Sequence, residues 1–238
     1  MRHYIVEIVN EVESTNSYLR DKLQNSTLKE PFCVSSYVQK AGRGQRGKVW
    51  YSEPFANVLA SFLITERAHL TSLAKISNAA VLAAAAGIQN LGIKGVRIKW
   101  PNDVYVGDKK IAGVLIENVI SGNGIKSSIV GVGLNVNQKE FSEVQATSIA
   151  LETGKKHELT EVLYNLYQDL YDNLAEPEIK LLFALNRMLY KKEEYVTFEE
   201  AGRLTEYKVR AVQPDGKLLV ASESAEYLLE HHKATWIK

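Results

Sequence analysis

The sequence predicts an α+β protein: a mixed, mainly antiparallel central sheet with helices on one side, followed by a small C-terminal β-barrel. Three observations predict it. Between residues 96 and 137 strand-length apolar runs follow one another with only tight turns between them, which implies antiparallel neighbours. Helical patterns are few, a short one after residue 14 and longer ones at 71–90 and 159–189, as expected for helices laid on one face of such a sheet. From about Glu193 onward short β-prone runs return at close spacing.

Taken in order, YIVEIV (4–9) alternates like a strand, and Ser14, Thr15 and Asn16 open a helix to about Leu23 with side chains suited to capping. FCVSSYV (32–38) is a second strand, a glycine loop follows, and NVLASFLI (57–64) is a third. The helix at 71–90 contains AAVLAAAAGI (79–88), whose small side chains let it lie close against a sheet. VRIKW (96–100), VYV (104–106), KKIAGVLIENVI (109–120) and IKSSIVGVGLNVN (125–137) are strands joined by turns at Pro101-Asn102-Asp103, Gly107-Asp108 and SGNG (121–124). Leu159, Val162, Leu163, Leu166, Tyr167, Leu170 and Leu174 fall at helical spacing, with Tyr164, Tyr167 and Tyr171 as packing residues. After Pro177, Ile179, Leu182, Phe183 and Leu189 belong to another helix. YVTF, EYKVRAV, KLLVAS, EYLLEH and TWIK, with a turn at Pro214-Asp215-Gly216, make the barrel, so the chain divides into 1–190 and 191–238.

Bulk properties exclude several classes. The 238 residues suffice for a substantial core, and a formal net charge of +1 provides no global field toward nucleic acid or membrane. A lone Cys33 excludes an intrachain disulfide and any cysteine-based zinc site, and a reducing cytoplasm is the expected home. The first residues contain too short an apolar run, interrupted by Glu7, for a signal peptide. The stretch at 79–88 is about half the length needed to span a bilayer, so no membrane association is expected.

The loop AGRGQRGKVW (41–50) poses the chemical question. Gly42 to Lys48 satisfies G-x-x-x-x-G-K, but Val49 stands where a P-loop needs Ser or Thr, and the next run is β-prone rather than helical. Its glycines still allow backbone N–H groups to approach a ligand, while Arg43, Arg46 and Lys48 offer partners for phosphate or carboxylate. KWPND (99–103) by itself is a polar turn, KKIAG a strand with an edge lysine, and GVGLNVN (131–137) a glycine-bearing strand that another group can approach closely.

ESTN, QKAGRGQRGKVW, KWPNDVY, KKIAGVL and GVGLNVN follow in this order, and together they resemble the catalytic domain of biotin–protein ligases from about residue 10 to the C-terminus. The resemblance implies a class II synthetase-like sheet over 1–190 and an SH3-like barrel over 191–238. It implies a biotin pocket of Ser14, Thr15, Asn16, Gln39, Gly42, Arg43, Gly44 and Gln45, with Gly113 against the biotin head. Arg43 would meet the biotin carboxylate and then the α-phosphate, and Lys110 the same reacting centre, making these two the catalytic candidates. Asn102, Asp103 and Asn135 would line the nucleotide, Trp50 would close the loop, and Arg46, Lys48 and Lys99 would support the electrostatics. Two positions depart from the family pattern: Gln45 stands where many members have arginine, and Lys48 where arginine is frequent.

The implied chemistry is adenylation of biotin by MgATP, then transfer to a lysine of a biotin carboxyl carrier protein domain. ATP and biotin are the implied substrates and Mg²⁺ the implied ion, with no residue assigned as a metal ligand. Nucleophiles come from the substrates, so no Ser-His-Asp triad is required. Lipoate–protein ligase is the nearest alternative, and a non-catalytic biotin sensor the alternative of another class. No helix-turn-helix pattern is seen and no nucleic-acid binding is expected; a homodimer through the sheet near the glycine loop is a further expectation.

Gln45 yields a prediction. A charge-assisted hydrogen bond to phosphate contributes roughly 1.5–3 kcal/mol against about 1 for a neutral one, so glutamine there weakens retention of an adenylate by roughly tenfold. Gln45→Arg is expected to slow escape of preformed biotinyl-5′-AMP on rapid dilution, and Arg43→Gly to speed it. An unchanged rate in both variants would separate the loop from the phosphate.

Overall fold

The computed structural model describes residues 5–28, 31–65, 72–121, 124–141 and 145–237. Seven strands, β1 (Ile5–Val12), β2 (Phe32–Gln39), β3 (Val58–Ile64), β4 (Val96–Lys99), β5 (Asp103–Val106), β6 (Lys109–Ser121) and β7 (Gly124–Leu134), form one sheet in the order β1-β2-β3-β7-β6-β5-β4. β1 and β2 are parallel and every other neighbouring pair is antiparallel. A parallel pair needs a crossover, and helix α1 (Thr15–Asn25) supplies it. Tyr4, Thr71, the turn residues 122–123 and Lys238, at the ends of expected elements, lie outside the described residues.

Strand alternation sorts the helices onto faces. Val58, Ala60, Phe62 and Ile64 of β3 point into one core with α2 (Leu73–Asn90) and α4 (Leu159–Ala175), and α5 (Glu178–Arg187) packs beside α2. Ala79, Ala80, Ala83, Ala84 and Ala85 are all buried in that layer, which is how an alanine-rich helix gains close approach to a sheet. The helices of the expected layer therefore lie on one side. The short α1 stands apart on the other face, where Leu19 packs with Phe32, Val34, Leu63 and Ile129 from the opposite alternating set.

The second sheet comprises β8 (Tyr195–Glu200), β9 (Arg203–Val212), β10 (Leu218–Ala221), β11 (Glu226–Leu229) and β12 (Ala234–Trp236), antiparallel in the order β11-β10-β9-β8-β12. Its inward residues Val196, Phe198, Val209, Leu218 and Val220 continue the core of α5, Leu189 and Tyr190. Backbone bonds fasten the junction to β4: Ile98 N–H donates to Met188 O and Tyr190 N–H to Ile98 O, both at 2.8 Å. The Trp100 indole N–H adds a bond of 2.9 Å to Gly216 O.

Two features were not legible. A helix α3 (Ile149–Thr153) is capped by Ser148, which accepts from Leu151 N–H at 3.2 Å, and ends at Gly154 in the left-handed region. Its 5 residues are too few to show a period. β7 also stops at Leu134, and Asn137 N–H instead reaches Ala56 O at 2.7 Å.

Phe62 is fully buried between the sheet and Tyr167, with ring centroids 5.1 Å apart. Phe62→Ala is expected to cost about 3–5 kcal/mol, read as a lower urea midpoint with an unchanged m-value.

Candidate active site

The parallel register that sets Val12 beside Gln39 also brings the start of α1 to the end of β2. Gln39 Oε1 accepts from Thr15 N–H at 2.8 Å and lies 3.1 Å from Thr15 Oγ1. Ser61, fully buried on β3, has its hydroxyl 2.7 Å from Thr15 Oγ1 and 2.6 Å from Asn16 Oδ1. The Asn16 amide then donates to Glu117 Oε2 at 2.7 Å. Ser14 is the N-cap of α1, but its side chain makes no capping bond, contrary to the expected capping role.

Glycines let side chains lie on this sheet. A Cβ at Gly131 would come within 2.4 Å of Asn16 Oδ1, and one at Gly133 within 2.4 Å of Trp50 Cε2. Gly113 pairs with Gly133, and a Cβ there would meet the same indole at 3.1 Å and Lys110 Nζ at 3.2 Å. The buried Trp50 Nε1 has no hydrogen-bond partner among the described residues. The loop itself is a closed hairpin: Trp50 N–H donates to Gly42 O at 2.9 Å, Gly44 N–H to Lys48 O at 2.7 Å, and Arg43 bridges Val49. Its tip is a 3-10 turn over Gln45–Gly47, with Arg46 at φ 55°.

Cations surround the two ends of this surface. At one end Arg43 donates to Ser17 Oγ at 2.8 Å and lies 3.4 Å from Glu117, which also pairs with Arg20 at 3.0 Å. Burial alone would raise the Glu117 carboxyl, but hydrogen bonds from Arg20 and Asn16 and the charges of Arg20 and Arg43 together hold it below the ordinary value. At the other end Lys110 Nζ is 2.6 Å from Asp103 Oδ1 and sits 5.4 Å from the Trp50 ring centroid. Lys99 lies over Tyr105 and Trp236, at 5.3 and 5.5 Å, and burial lowers its pKa against the opposing pull of Asp103, with Lys110 and Lys48 lowering it further. A cleft of about 840 Å³ runs along the loop, bounded by Arg43, Lys48, Leu115, Glu117, His231 and His232.

Residues 9–135 match the Biotin/lipoate A/B protein ligase family. The chain belongs to that family. It is similar to the bifunctional ligase/repressor BirA of Escherichia coli, 32% identical over 139 residues that make up 58% of this chain and 42% of that protein. It is also similar to the biotin–[acetyl-CoA-carboxylase] ligase of Paracoccus denitrificans, 36% identical over 105 residues, 43% of either chain. The chain thus spans about half the length of the curated relatives it matches. It shares its fold with the biotin protein ligase of Aquifex aeolicus in complex with biotin and ATP, at a TM-score of 0.83 and 24% identity over 97% of both chains.

Within this ligase-family fold, the residues expected at the site fall into groups. Ser14, Thr15, Asn16, Gln39, Gly42 and Arg43 gather around the start of α1, and Trp50, Lys110, Gly113, Asp103, Lys99 and Lys48 around the far ends of β5 and β6. Gln45 and Gly44 line the cleft. Three others are engaged with the protein itself: the Asn102 amide donates to Val114 O, the Asn135 amide to Thr147 O at 3.0 Å, and Arg46 to Ala234 O at 2.8 Å and to Thr235 Oγ1. Sequence reasoning missed Ser17, Ser61, Glu117, His231 and His232. For the serine at 61 the only signal is a hydroxyl inside an otherwise apolar strand run.

The lowered Glu117 carboxyl carries a pH prediction. The unfolded chain binds this proton more tightly, so ionised Glu117 stabilises the fold fully above its ordinary value of 4.5 and that contribution is lost as pH falls through the lower folded value. The stability gap between the parent and Glu117→Gln, measured by urea unfolding, is expected to be largest at neutral pH and to shrink below pH 4.5.

Proposed function

We propose that the protein is an ATP-dependent biotin–protein ligase. The observation that supports this best is the adjacency of two unlike surfaces: a polar array of buried Thr15, Asn16 and Ser61 with half-buried Gln39, and a cleft edged by Arg43 and Lys48. The array suits an uncharged polar head, and the cations suit a carboxylate and a triphosphate. Joining those two anions is the electrostatic difficulty of the reaction. Fixed cations aimed at the developing charge reduce it.

In the first step a biotin carboxylate oxygen bonds to the α-phosphorus of ATP while the bond to the β-phosphate oxygen breaks, giving biotinyl-5′-AMP and pyrophosphate. Arg43 and Lys110 take the role of stabilising charge at the reacting oxygens, with Lys48 and Lys99 supporting the phosphates and Arg46, bonded to Ala234 O and Thr235 Oγ1, adding only longer-range charge. In the second step a carrier-domain lysine amine attacks the acyl carbon, AMP leaves, and the amine proton is released. The hairpin form of the glycine loop suits exclusion of water from the anhydride.

Magnesium would neutralise phosphate charge when bound. Among the described residues no group of three His, Cys, Asp or Glu side chains gathers as a metal cage, and Asp103 is already paired with Lys110. The ion is therefore expected to be held chiefly by phosphates and water, its usual habit. The expected acceptor is the carrier domain of a biotin-dependent carboxylase. Among the described residues no helix is long and apolar enough to cross a membrane.

Incubation with MgATP and either biotin or lipoate, followed by mass spectrometry, tests the reading: biotinyl-AMP and pyrophosphate support it, and lipoyl-AMP alone overturns it. Lys110→Ala is expected to lower adenylate formation by about 100-fold, the scale of roughly 3 kcal/mol seen when one such donor is removed. Near-normal pyrophosphate release by a folded variant would remove Lys110 from the chemistry.

A further inference from the structure

Glu117 takes no step in the reaction described above beyond its contact with Arg43, yet it ends a largely buried chain of polar groups that spans β6, β7, β3 and β2. The chain runs Glu117, Asn16, Ser61, Thr15, Gln39, through contacts of 2.7, 2.6, 2.7 and 3.1 Å. A carboxylate only accepts, so the Asn16 nitrogen must face Glu117; the Leu115 carbonyl, 3.5 Å from the same nitrogen, demands the same orientation. Asn16 Oδ1 therefore faces Ser61, and as an acceptor it takes the Ser61 proton. A hydroxyl has one proton. The 2.7 Å contact of Ser61 with Thr15 must then carry the Thr15 proton toward Ser61. Gln39 Oε1 is fixed separately by Thr15 N–H at 2.8 Å, which leaves its longer contact with the Thr15 hydroxyl without a proton. The end of the chain thereby acquires a defined polarity. Thr15 Oγ1 remains an acceptor, and the Gln39 amide N–H₂, lying beneath Gly42, remains a donor.

We propose that Glu117 is a positioning residue that sets the hydrogen-bond polarity of the head-group pocket, selecting a ligand that offers an N–H beside a carbonyl oxygen, as a cyclic urea does. This rests on the biotin reading of the site. A neutral amide at 117 relaxes the constraint: Gln can present either atom to Asn16, only the longer 3.5 Å contact with the Leu115 carbonyl still favours the parent orientation, and when the Asn16 amide turns over the hydroxyl protons of Ser61 and Thr15 can reverse with it. The pocket then divides its population between two polarities, and only one of them receives a urea.

The test measures biotin binding by calorimetry, without nucleotide, for the parent, Glu117→Gln, Ser61→Ala and the double variant, with thermal melts to establish folding. Lipoate, which has no urea, is the control ligand. Glu117→Gln is expected to weaken biotin by the reciprocal of the population that keeps the receptive polarity, about twofold for an equal division. The loss in kcat/KM should sit in KM for biotin. Because both single changes cut the same chain, the double variant should lose little more than the worse single one, a non-additivity that a purely structural role would not produce. If folded Glu117→Gln binds biotin as tightly as the parent, or if the two losses simply add, the positioning role is wrong. If the parent itself binds lipoate and not biotin, the biotin reading fails first, and this inference falls with it.

Discussion

Asn16 and Trp50 can lie flat on the central sheet only because β7 carries no side chain at residues 131 and 133, where a Cβ would approach each of them to 2.4 Å. On this constraint the rest of the site depends. Asn16 reaches across β3 and β7 to Glu117 on β6, and Trp50 anchors the end of the glycine loop beside Lys110. Two glycines on one face of one strand thus join the start of α1, the loop and the lysine-bearing strand into a single surface. Adding a methyl group at either position would push the corresponding side chain off the sheet.

The electrostatic design is paired rather than bare. Arg43 lies beside Glu117 and Lys110 is joined to Asp103. Unpaired cations at such a surface would repel one another; at Lys99 burial is the main cause of the lowered pKa, and the charges of Lys110 and Lys48 add to it. These carboxylates fix the orientation of Arg43 and Lys110 in the protein, and on the proposed function an incoming carboxylate or phosphate competes for them. The second sheet contributes to the same arrangement. Arg46 ties the tip of the glycine loop to β12, while Trp100 and the backbone of Ile98 fasten that sheet to the β4 edge.

Much of the architecture was legible because it is local. The apolar β-prone run at 57–64, the alanine-rich run at 79–88 and the leucine spacing of 159–174 each fix an element through near neighbours, and the glycine loop announces itself within ten residues. The element that escaped notice, α3, is shorter than the period that would reveal it. Motif order singled out Thr15, Asn16, Gln39, Arg43 and Lys110; in the fold Thr15 meets Gln39, Arg43 meets Ser17 beside it, and Lys110 sits apart against Trp50.

The chain by itself determined the strand and helix segments, the charged loop and the glycines of β7, because those are properties of composition and spacing along a line. Only the tertiary structure decided which residues meet across it. Ser61 and Glu117 carry no motif, and they enter the site because the β3–β7–β6 register sets Ser61 and Leu115 on either side of Gly131. Likewise Asn102, Asn135 and Arg46 are drawn into contacts with backbone far away in sequence, and no linear pattern reveals that. Sheet register converts sequence separation into distance, and a donor or acceptor acquires a role only from the atom that register places opposite it.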